Sequence, residues 1–421
     1  MIGFGLMALV RRSLRQHLLS TVVTVVSVGL AAGLTMSVFA INHQTYDAFT
    51  GGSPGFDAVL GARGSQLQLV LNTVFHLETS PGNIPWSMYK QIAANPRVLV
   101  AIPYAVGDNY KGYRIVGTTP EIFTKFQYRA GRFFEAQPGG RFFQSVDARE
   151  AVLGSYVASK LGVKVGDVIS PYHGLQYSES QKHNDQFTVV GILKTTNSPS
   201  DRVVWIPIEG IYRMSGHVLR GTGQIYRPEE GKEIPEESKE VSAVMLKFKN
   251  AQTGFILDQQ INRQGKVATL AWPIAKVMAE LFDRIGWVNR ILTMVAYLVV
   301  VVAAGSILAS IYNTMNERRR EFAILRALGA RRGTVFSTIV LEATTITFLG
   351  ALVGYLVYAA IFTAAFYIVR AQTGVVLDVL QLDPALWLTP IAMVVLGALA
   401  GLVPAFKAYR TDVASNLTPI S

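Results

Sequence analysis

Long apolar runs separated by stretches of mixed polarity form the main pattern along this chain. Four runs have very few charged side chains, and they cover residues 18–41, 287–312, 335–368 and 386–406. A helix needs about 20 apolar residues to cross the hydrocarbon core of a bilayer. The pattern therefore predicts four transmembrane helices. Buried helices of a large soluble protein are the alternative, and runs this long and poor in charge disfavour it.

The first run could also belong to a cleaved signal peptide. Its apolar part is too long for one, and no clear cleavage site of small residues precedes "NHQTYDAF" at residues 42–49. We therefore interpret residues 18–41 as a permanent membrane anchor. The residues before it, 1–17, contain Arg11, Arg12 and Arg15 and no acid, and they predict an amphipathic helix that leads into the membrane.

A stretch of mixed polarity, residues 42–286, separates the first two apolar runs. Strand-like segments such as "QFTVVGIL" and "RVVWIPI" are rich in Val, Ile and aromatic residues and are bounded by Gly, Pro or Asp. Helical segments such as "SYVASKLG" lie between them and end at a glycine. The fold class predicted is a membrane α-helical protein with one large extracytoplasmic α+β domain inserted between transmembrane helices 1 and 2.

The end of this stretch changes to helical spacing at Pro273 and enters the second apolar run without a break. A helix from there to residue 312 has about 40 residues and is about 60 Å long, twice the roughly 30 Å thickness of the hydrocarbon core. The second transmembrane helix is therefore predicted to continue outside the membrane as a stalk. A kink at Gly286 is the alternative.

Basic residues predict the orientation. Six arginines lie in residues 313–334, and Lys407 and Arg410 follow the fourth run. By the positive-inside rule both termini, residues 313–334 and the tail 407–421 are cytoplasmic. The domain at 42–286 and the short loop 369–385 are then outside the inner (plasma) membrane. Part of the net charge of +11 is a topology signal and attracts anionic lipid headgroups, so the charge does not require a nucleic-acid partner.

The candidate chemistry of the chain is sparse. Cysteine is absent, which excludes disulfides, thiol catalysis and cysteine-ligated metals. The six histidines include no close pair at metal-ligand spacing, and no catalytic set can be identified from spacing. The phosphate-binding motif GxxxxGK[ST] does not occur. The chain is therefore predicted to be non-catalytic, with no metal or cofactor of its own.

The segment "NERRREFAILRALGARRGTVF" at residues 316–336 has a helical pattern of its own. Residues 317–328 are good helix formers, with expected ion pairs Glu317–Arg320 and Arg318–Glu321. Phe322, Leu325 and Leu328 recur on one side beside Ala323 and Ala327, and Gly329 ends the helix. Such an amphipathic helix lies in the lipid headgroups or docks into a groove of a cytoplasmic partner.

One carboxylate, Glu342, lies inside the third apolar run. A charge at the middle of a membrane helix costs about 2.5–3.5 kcal/mol on insertion scales, and less near the interface. Two interpretations remain open. Glu342 is a buried partner for a basic residue at a dimer or inner-face junction, or its side chain snorkels to the interface.

The arginine-rich segment and the start of the third run together resemble the FtsX-like, MacB-type ABC transporter permeases. The matching residues are Glu317, Arg318, Glu321, Phe322, Ala323, Ile324, Arg326, Ala327, Leu328, Gly329 and Ala330, followed by Leu341, Glu342 and Ala343. The ending "GLVPAFKAYRTDVASNL" is also similar, except that Val413 replaces the usual proline. The exterior domain resembles the family's periplasmic core domain more loosely, and the likeness covers nearly the whole chain.

The resemblance implies a permease subunit that works beside a separate cytoplasmic ATPase, which binds the ATP. It implies a second permease copy, either identical or a paralogue, and a periplasmic adaptor or carrier as a further candidate partner. The ATPase-coupling residues it implies are Glu317, Arg318, Glu321, Phe322, Leu325, Arg326, Ala327, Leu328 and Gly329. Two functions remain open: extrusion or release of a lipid, lipoprotein or small molecule, favoured by a domain of about 245 residues, and FtsX-like signalling to a periplasmic enzyme.

Overall fold

The computed structural model describes residues 2–50, 55–129, 131–214, 234–378 and 381–410. The chain divides into two compact units. The helical unit comprises Met1–Thr45, Ile285–Tyr367 and Asp378–Ser421, and the sheet unit comprises Tyr46–Arg284 and Ile368–Leu377. The part of the tail from residue 411 onward lies outside the described residues.

The α-helices of the described chain are α1 (Ile2–Gln16), α2 (Leu18–Thr50), α3 (Gln66–Thr73), α4 (Trp86–Ala93), α5 (Glu121–Thr124), α6 (Ser155–Leu161), α7 (Ile208–Tyr212), α8 (Ala251–Asp258), α9 (Ile274–Glu317), α10 (Arg319–Ala327), α11 (Arg332–Thr373) and α12 (Ala385–Arg410). The strands are β1 (Ala58–Ala62), β2 (Ile84–Pro85), β3 (Val98–Tyr110), β4 (Tyr113–Thr118), β5 (Gln127–Arg129), β6 (Arg132–Phe133), β7 (Glu150–Leu153), β8 (Val168–Ile169), β9 (Tyr172–His173), β10 (Phe187–Ile192), β11 (Val204–Pro207), β12 (Glu240–Val241), β13 (Ala243–Phe248) and β14 (Ala268–Ala271).

Among the described residues, four helices are long and apolar enough to cross a membrane: α2, α9, α11 and α12. They contain the four runs that the hydropathy pattern predicts, and three of them extend well beyond those runs. α9 has 44 residues and continues through Gly286, so the chain has one unbroken helix there. Its length is about 66 Å at 1.5 Å per residue, more than twice the thickness of the hydrocarbon core.

Close backbone approach joins α2 to α11. Gly29 and Gly33 on α2 lie against Gly350 and Gly354 on α11, and each pair has the GxxxG spacing that lets membrane helices pack tightly. A methyl group added at Gly33 would lie 2.7 Å from the Gly354 carbonyl oxygen, and one added at Gly29 would lie 3.1 Å from that of Gly350. The first distance is shorter than real side-chain contacts and the second is tighter than most of them, so this interface favours glycine.

The neighbouring interface joins α11 to α12 through two more glycines. A methyl group at Gly397 would lie 2.2 Å from the Thr347 side chain, and one at Gly401 would lie 2.8 Å from the Ala343 side chain. α11 therefore packs against α2 on one side and α12 on another. Small residues allow the close approach of the helices at both interfaces.

The sheet unit is built on a mixed ten-stranded sheet. Its strand order is β14-β1-β13-β3-β4-β11-β7-β10-β8, and β9 pairs with the far end of β3. Most pairs are antiparallel, whereas β4–β11 and β7–β10 are parallel. The 13-residue β3 lies in the middle, where it pairs with both β13 and β4.

Both faces of this sheet are buried, which explains why its strands are continuous apolar runs. Neighbouring positions alternate between two cores, so Ile115 and Leu153 face one and Val116 and Val152 face the other. Helices such as α6 and α7 cover the first face, and α3 covers the second. A mixed sheet with helices on its faces agrees with the predicted α+β class.

Candidate functional site

The turn between α9 and α10 contains a buried arginine. α9 ends at Glu317 and α10 begins at Arg319, so Arg318 occupies the junction. Its guanidinium Nη1 donates to Ser13 Oγ at 2.5 Å and to Glu342 Oε2 at 3.3 Å. Only 5% of Arg318 is exposed. Arginine is rarely buried without a partner, and Ser13 and Glu342 are the partners here.

The carboxylate of Glu342 completes a closed set of contacts. Ser13 Oγ donates to Glu342 Oε1 at 2.5 Å, so each carboxylate oxygen accepts from a different residue. Ser13 is fully buried and Glu342 is 5% exposed. Ser13, Arg318 and Glu342, here called the anchor cluster, connect α1, the start of α10 and α11. These contacts match the interpretation of Glu342 as a buried partner for a basic residue.

Further contacts orient Arg318 and the end of α9. Arg318 Nε donates to Glu321 Oε2 at 3.0 Å, the expected pair between these residues, and its guanidinium lies 4.9 Å from the centre of the Phe322 ring. Glu317 Oε2 lies 3.0 Å from His17 Nδ1. Because α9 ends at Glu317, this residue and Arg320 belong to different helices, and the expected helical pairing between them does not apply.

The outward side of α10 is apolar and narrow. Leu328 is 80% exposed and Ile324 is 44% exposed, and Ala327 is also exposed. Their spacing of three and four residues places them on one face of the helix. Ile324, Ala327 and Leu328 are here called the docking face, and the exposed Glu321 lies beside it. Leu325 and Arg326 are half-buried.

The inward side of α10 differs from the prediction. Phe322 was expected on the apolar ridge that meets a partner, but it is buried, as are Ala323 and Arg318. These residues support α10 from within the chain. Because Phe322 and Ala323 pack against the rest of the chain, the next residue along the helix, Ile324, faces outward.

α10 ends just before the glycine that the sequence predicts as its end. Gly329 has φ +98°, a left-handed conformation that favours glycine. The Ala330 N–H donates to the Leu325 carbonyl at 3.0 Å, and the Gly329 N–H donates to that of Arg326 at 3.1 Å. This glycine-ended cap satisfies carbonyl groups at the helix end and sets the exit direction of the chain.

Sequence reasoning missed two residues of this site. Ile324 has the helical spacing that identifies the docking face, so the signal was present. Ser13 had no such signal, because it lies 305 positions from Arg318 and 329 from Glu342.

A second group of polar side chains meets in the sheet unit. Asp108, His173 and His183 each offer one ligand atom, and these three atoms lie within 4.8 Å of one another. The hydrogen bond to Asp108 raises the pKa of the His173 imidazole. The sequence spacing of the histidines does not indicate this group, because the fold joins segments that are not adjacent in sequence. His217 lies outside the described residues.

Comparison with known families identifies both parts of the chain. Residues 293–413 match the family described as FtsX-like permease C-terminal. Residues 21–262, more than half of the chain, match the family described as MacB-like periplasmic core domain. The first match contains α10 and the third and fourth apolar helices.

Two proteins are similar in sequence. The lipoprotein-releasing system transmembrane protein LolC of Neisseria meningitidis is 22% identical over 271 residues, which is 61% of this chain and 59% of that protein. The uncharacterized ABC transporter permease MJ1507 of Methanocaldococcus jannaschii is 24% identical over 219 residues, 51% of this chain and 48% of that protein. The chain thus matches about half to three-fifths of the length of these relatives.

Two periplasmic or extracellular domains are among the solved structures that are similar to this chain. The periplasmic region of MacB from Actinobacillus actinomycetemcomitans is 10% identical, with a TM-score of 0.33 over 54% of this chain and 94% of that one. The extracellular domain of the noncanonic ABC-type transporter YknZ from Gram-positive bacteria is 13% identical, with a TM-score of 0.29 over 50% of this chain and 97% of that one. The family assignment rests on the two sequence families, and by these the chain belongs to the FtsX-like, MacB-type ABC transporter permeases.

Proposed function

We propose that this chain is the membrane subunit of an ABC transporter and that a separate cytoplasmic ATPase docks on α10. The observation that carries the proposal is an exposed apolar face on a short helix whose base is fixed by a buried ion pair. Ile324, Ala327 and Leu328 present that face. The shape fits the helix-in-groove mode of recognition, in which residues three and four apart enter a groove.

The anchor cluster gives α10 a route for transmitting force. Arg318 joins α10 to α9 through a single turn residue, and its side chain contacts α1 and α11. A push on the docking face therefore reaches three other helices through direct contacts. Glu317 and Arg318 act in coupling by holding α10, whereas Ala327 and Leu328 meet the ATPase.

The proposed orientation places α10 and both termini in the cytoplasm and the sheet unit outside the membrane, where the family's core domain is periplasmic. The arginines around α10 support this, because basic loops stay on the cytoplasmic side. ATP is proposed to be bound by the partner ATPase, because the phosphate-binding motif GxxxxGK[ST] does not occur in this sequence.

α9 is the proposed lever between the ATPase and the exterior. It is one continuous helix of 44 residues, and its most apolar window is only 17% buried within the described chain. Most of its apolar surface therefore faces lipid or a second permease. We propose that two copies of this chain, or this chain and a paralogue, work together.

The proposed cargo is a lipid, a lipoprotein or a small apolar molecule that the sheet unit extrudes or releases, with an adaptor or carrier outside. The name of the similar Neisseria protein, which belongs to a lipoprotein-releasing system, supports a lipid-linked cargo. ATP-dependent release of an acylated peptide from proteoliposomes containing the complex tests this. ATP turnover without release, together with activation of a periplasmic hydrolase, would support the signalling alternative.

Docking is tested by Ala327→Trp. A bulky side chain at a fitted contact costs about 1–3 kcal/mol, so we expect ATPase binding to weaken by about 10–100-fold. The measurement is the affinity of the purified permease for its cognate ATPase and the ATP turnover of the reconstituted complex.

Ala8→Trp is the matched control, because Ala8 is an exposed alanine on α1. We expect this control to bind the ATPase normally. If α10 only lies in the headgroups, Ala327→Trp leaves binding and turnover unchanged, since tryptophan is favourable at the interface. That result would remove α10 as the docking site.

A further inference from the structure

We propose that Asp108, His173 and His183 form a binding site for a divalent transition-metal ion of the Zn²⁺ class, with one coordination position open to the exterior solution. The site lies within the sheet unit. It is independent of ATPase docking, so its test does not depend on the function proposed above.

The distances within the cluster match a shared metal ion. His173 Nδ1 and His183 Nε2 each lie 3.4 Å from the same oxygen, Asp108 Oδ1. An N–H···O hydrogen bond is usually about 2.9–3.0 Å long. Ligands about 2.0–2.1 Å from a tetrahedral zinc ion lie about 3.3 Å apart. The two N···O separations are close to the separation of two ligands on one zinc ion, and the two imidazole nitrogens lie within 4.8 Å of each other.

The ligand types select the class of ion. Two imidazole nitrogens and one carboxylate oxygen suit zinc, cobalt, nickel or iron, whereas calcium and magnesium prefer oxygen ligands throughout. The three ligands found among the described residues leave a fourth position of a tetrahedral ion for water or another ligand, as in open zinc sites.

The burial of the three side chains gives the site an inner and an outer side. Asp108 is fully buried and His183 is 7% exposed, whereas the His173 side chain is 54% exposed. Two ligands are therefore held in the interior, and the third lies where an ion can enter from solution. The rings of the two histidines are 5.5 Å apart and nearly perpendicular, so they approach the carboxylate from different directions.

The backbone around the cluster is fixed in place. Asp108 on β3 pairs directly with His173 on β9, and the His183 N–H donates to the Pro171 carbonyl at 2.9 Å. The adjacent Asn109 is fully buried, and its amide nitrogen contacts the carbonyls of Tyr172 at 3.3 Å, Gly174 at 2.8 Å and Gln176 at 3.3 Å. These contacts hold the segment between the histidines against β3, which preorganises the ligands.

The experiment uses the full chain, purified in detergent without a polyhistidine tag. The protein is stripped with a chelator, exchanged into Zn²⁺ and dialysed, and the metal content is measured by mass spectrometry. We expect about one equivalent of zinc per chain. Co²⁺ in its place should give the visible absorption of a four- or five-coordinate site, without a thiolate band because the chain has no cysteine.

The variants are His173→Ala, His183→Ala and Asp108→Asn. Loss of a metal ligand should weaken zinc binding by at least about 100-fold, because loss of a second-shell partner already costs about 10–100-fold. His173→Ala is decisive if the buried positions impair folding, because His173 is half exposed. His43→Ala is the matched control, since His43 Nδ1 lies 2.9 Å from Asp383 Oδ2 without belonging to the three-residue cluster.

We expect His43→Ala to keep the full zinc content. Substoichiometric zinc on the unmodified chain would overturn the proposal, and so would equal zinc content in the chain and in His173→Ala. In either case the cluster is a hydrogen-bonded group of side chains only.

Discussion

At the scale of single residues, the burial of Arg318 is balanced by what surrounds it. Removing a charge from water costs several kcal/mol, and a partner in good geometry offsets that cost. Glu342 supplies the opposite charge and Ser13 fills a remaining hydrogen-bonding position. The cluster is therefore sensitive to the loss of one member and more tolerant of the loss of both charges.

Arg318→Ala should reduce the stability of the helical unit by about 3–5 kcal/mol, because it leaves the Glu342 carboxylate buried without its guanidinium. Arg318→Met combined with Glu342→Gln should recover most of this loss, since it leaves no buried charge. The measurement is unfolding of the detergent-solubilised protein followed by helical circular dichroism.

Arg319→Ala is the matched control, because Arg319 is exposed one position away. We expect it to change stability by less than about 0.5 kcal/mol. Equal stability of Arg318→Ala and Arg319→Ala would show that the buried pair contributes nothing.

The sequence indicates that Glu342 needs a basic partner, because a carboxylate inside an apolar run is costly. It does not indicate which of the six nearby arginines serves, since all lie in one short segment. The choice depends on where α9 ends. The helix stops at Glu317, and Arg318 in the turn then points toward α11.

At the scale of elements, the four long helices follow from hydropathy because water-free surroundings demand uncharged side chains and internal hydrogen bonding. Their ends do not follow from hydropathy. α2 continues to Thr50 and α11 to Thr373, since a helix can leave the membrane with polar residues on its surface. The sequence pattern also does not predict that Phe322 packs inward, because periodicity shows that a helix has two faces without showing which one packs.

The close contact between α2 and α11 predicts how a larger side chain at Gly354 affects stability. Gly354→Leu should destabilise the helical unit by about 1–3 kcal/mol, since the added Cβ would lie 2.8 Å from Ala32 Cβ and 3.3 Å from the Gly29 carbonyl oxygen. Gly305→Leu is the matched control. Gly305 also lies in a membrane helix, and an added methyl group there meets nothing within 4 Å.

Thermal unfolding of both variants in the same detergent measures the difference, with the oligomeric state held constant. We expect Gly305→Leu to retain or slightly raise the unfolding temperature, because leucine is a better helix former than glycine. A normal unfolding temperature for Gly354→Leu would contradict the close approach of α2 and α11.

At the scale of the whole molecule, the proposed orientation can be tested with single cysteines, because the chain has none of its own. Ser180→Cys should react with an impermeant maleimide in intact spheroplasts, since Ser180 is exposed in the sheet unit. Ala327→Cys should react only after the membrane is opened, and the ATPase should then protect it. Labelling in the opposite order would reverse the orientation.

The strands of the sheet unit can be predicted from the sequence, but their order in the sheet cannot. Its strands are recognisable because each is an apolar run, and the α+β class follows from them. The order of the strands is not recognisable, because β1 pairs with β13 and β14, which lie far along the chain. Another long-range pairing, between β3 and β9, creates the Asp108–His173 contact, so the cluster has no local signal in the sequence.

The buried position of Arg318 also implies an order of events during synthesis. Glu342 follows Arg318 by 24 positions, so the guanidinium leaves the ribosome before its carboxylate. Until α11 is inserted, Arg318 remains hydrated, because burial of an unpaired charge is too costly. A nascent chain that stops before Glu342 is therefore expected to leave Ser13 without its carboxylate acceptor and Arg318 without its opposite charge.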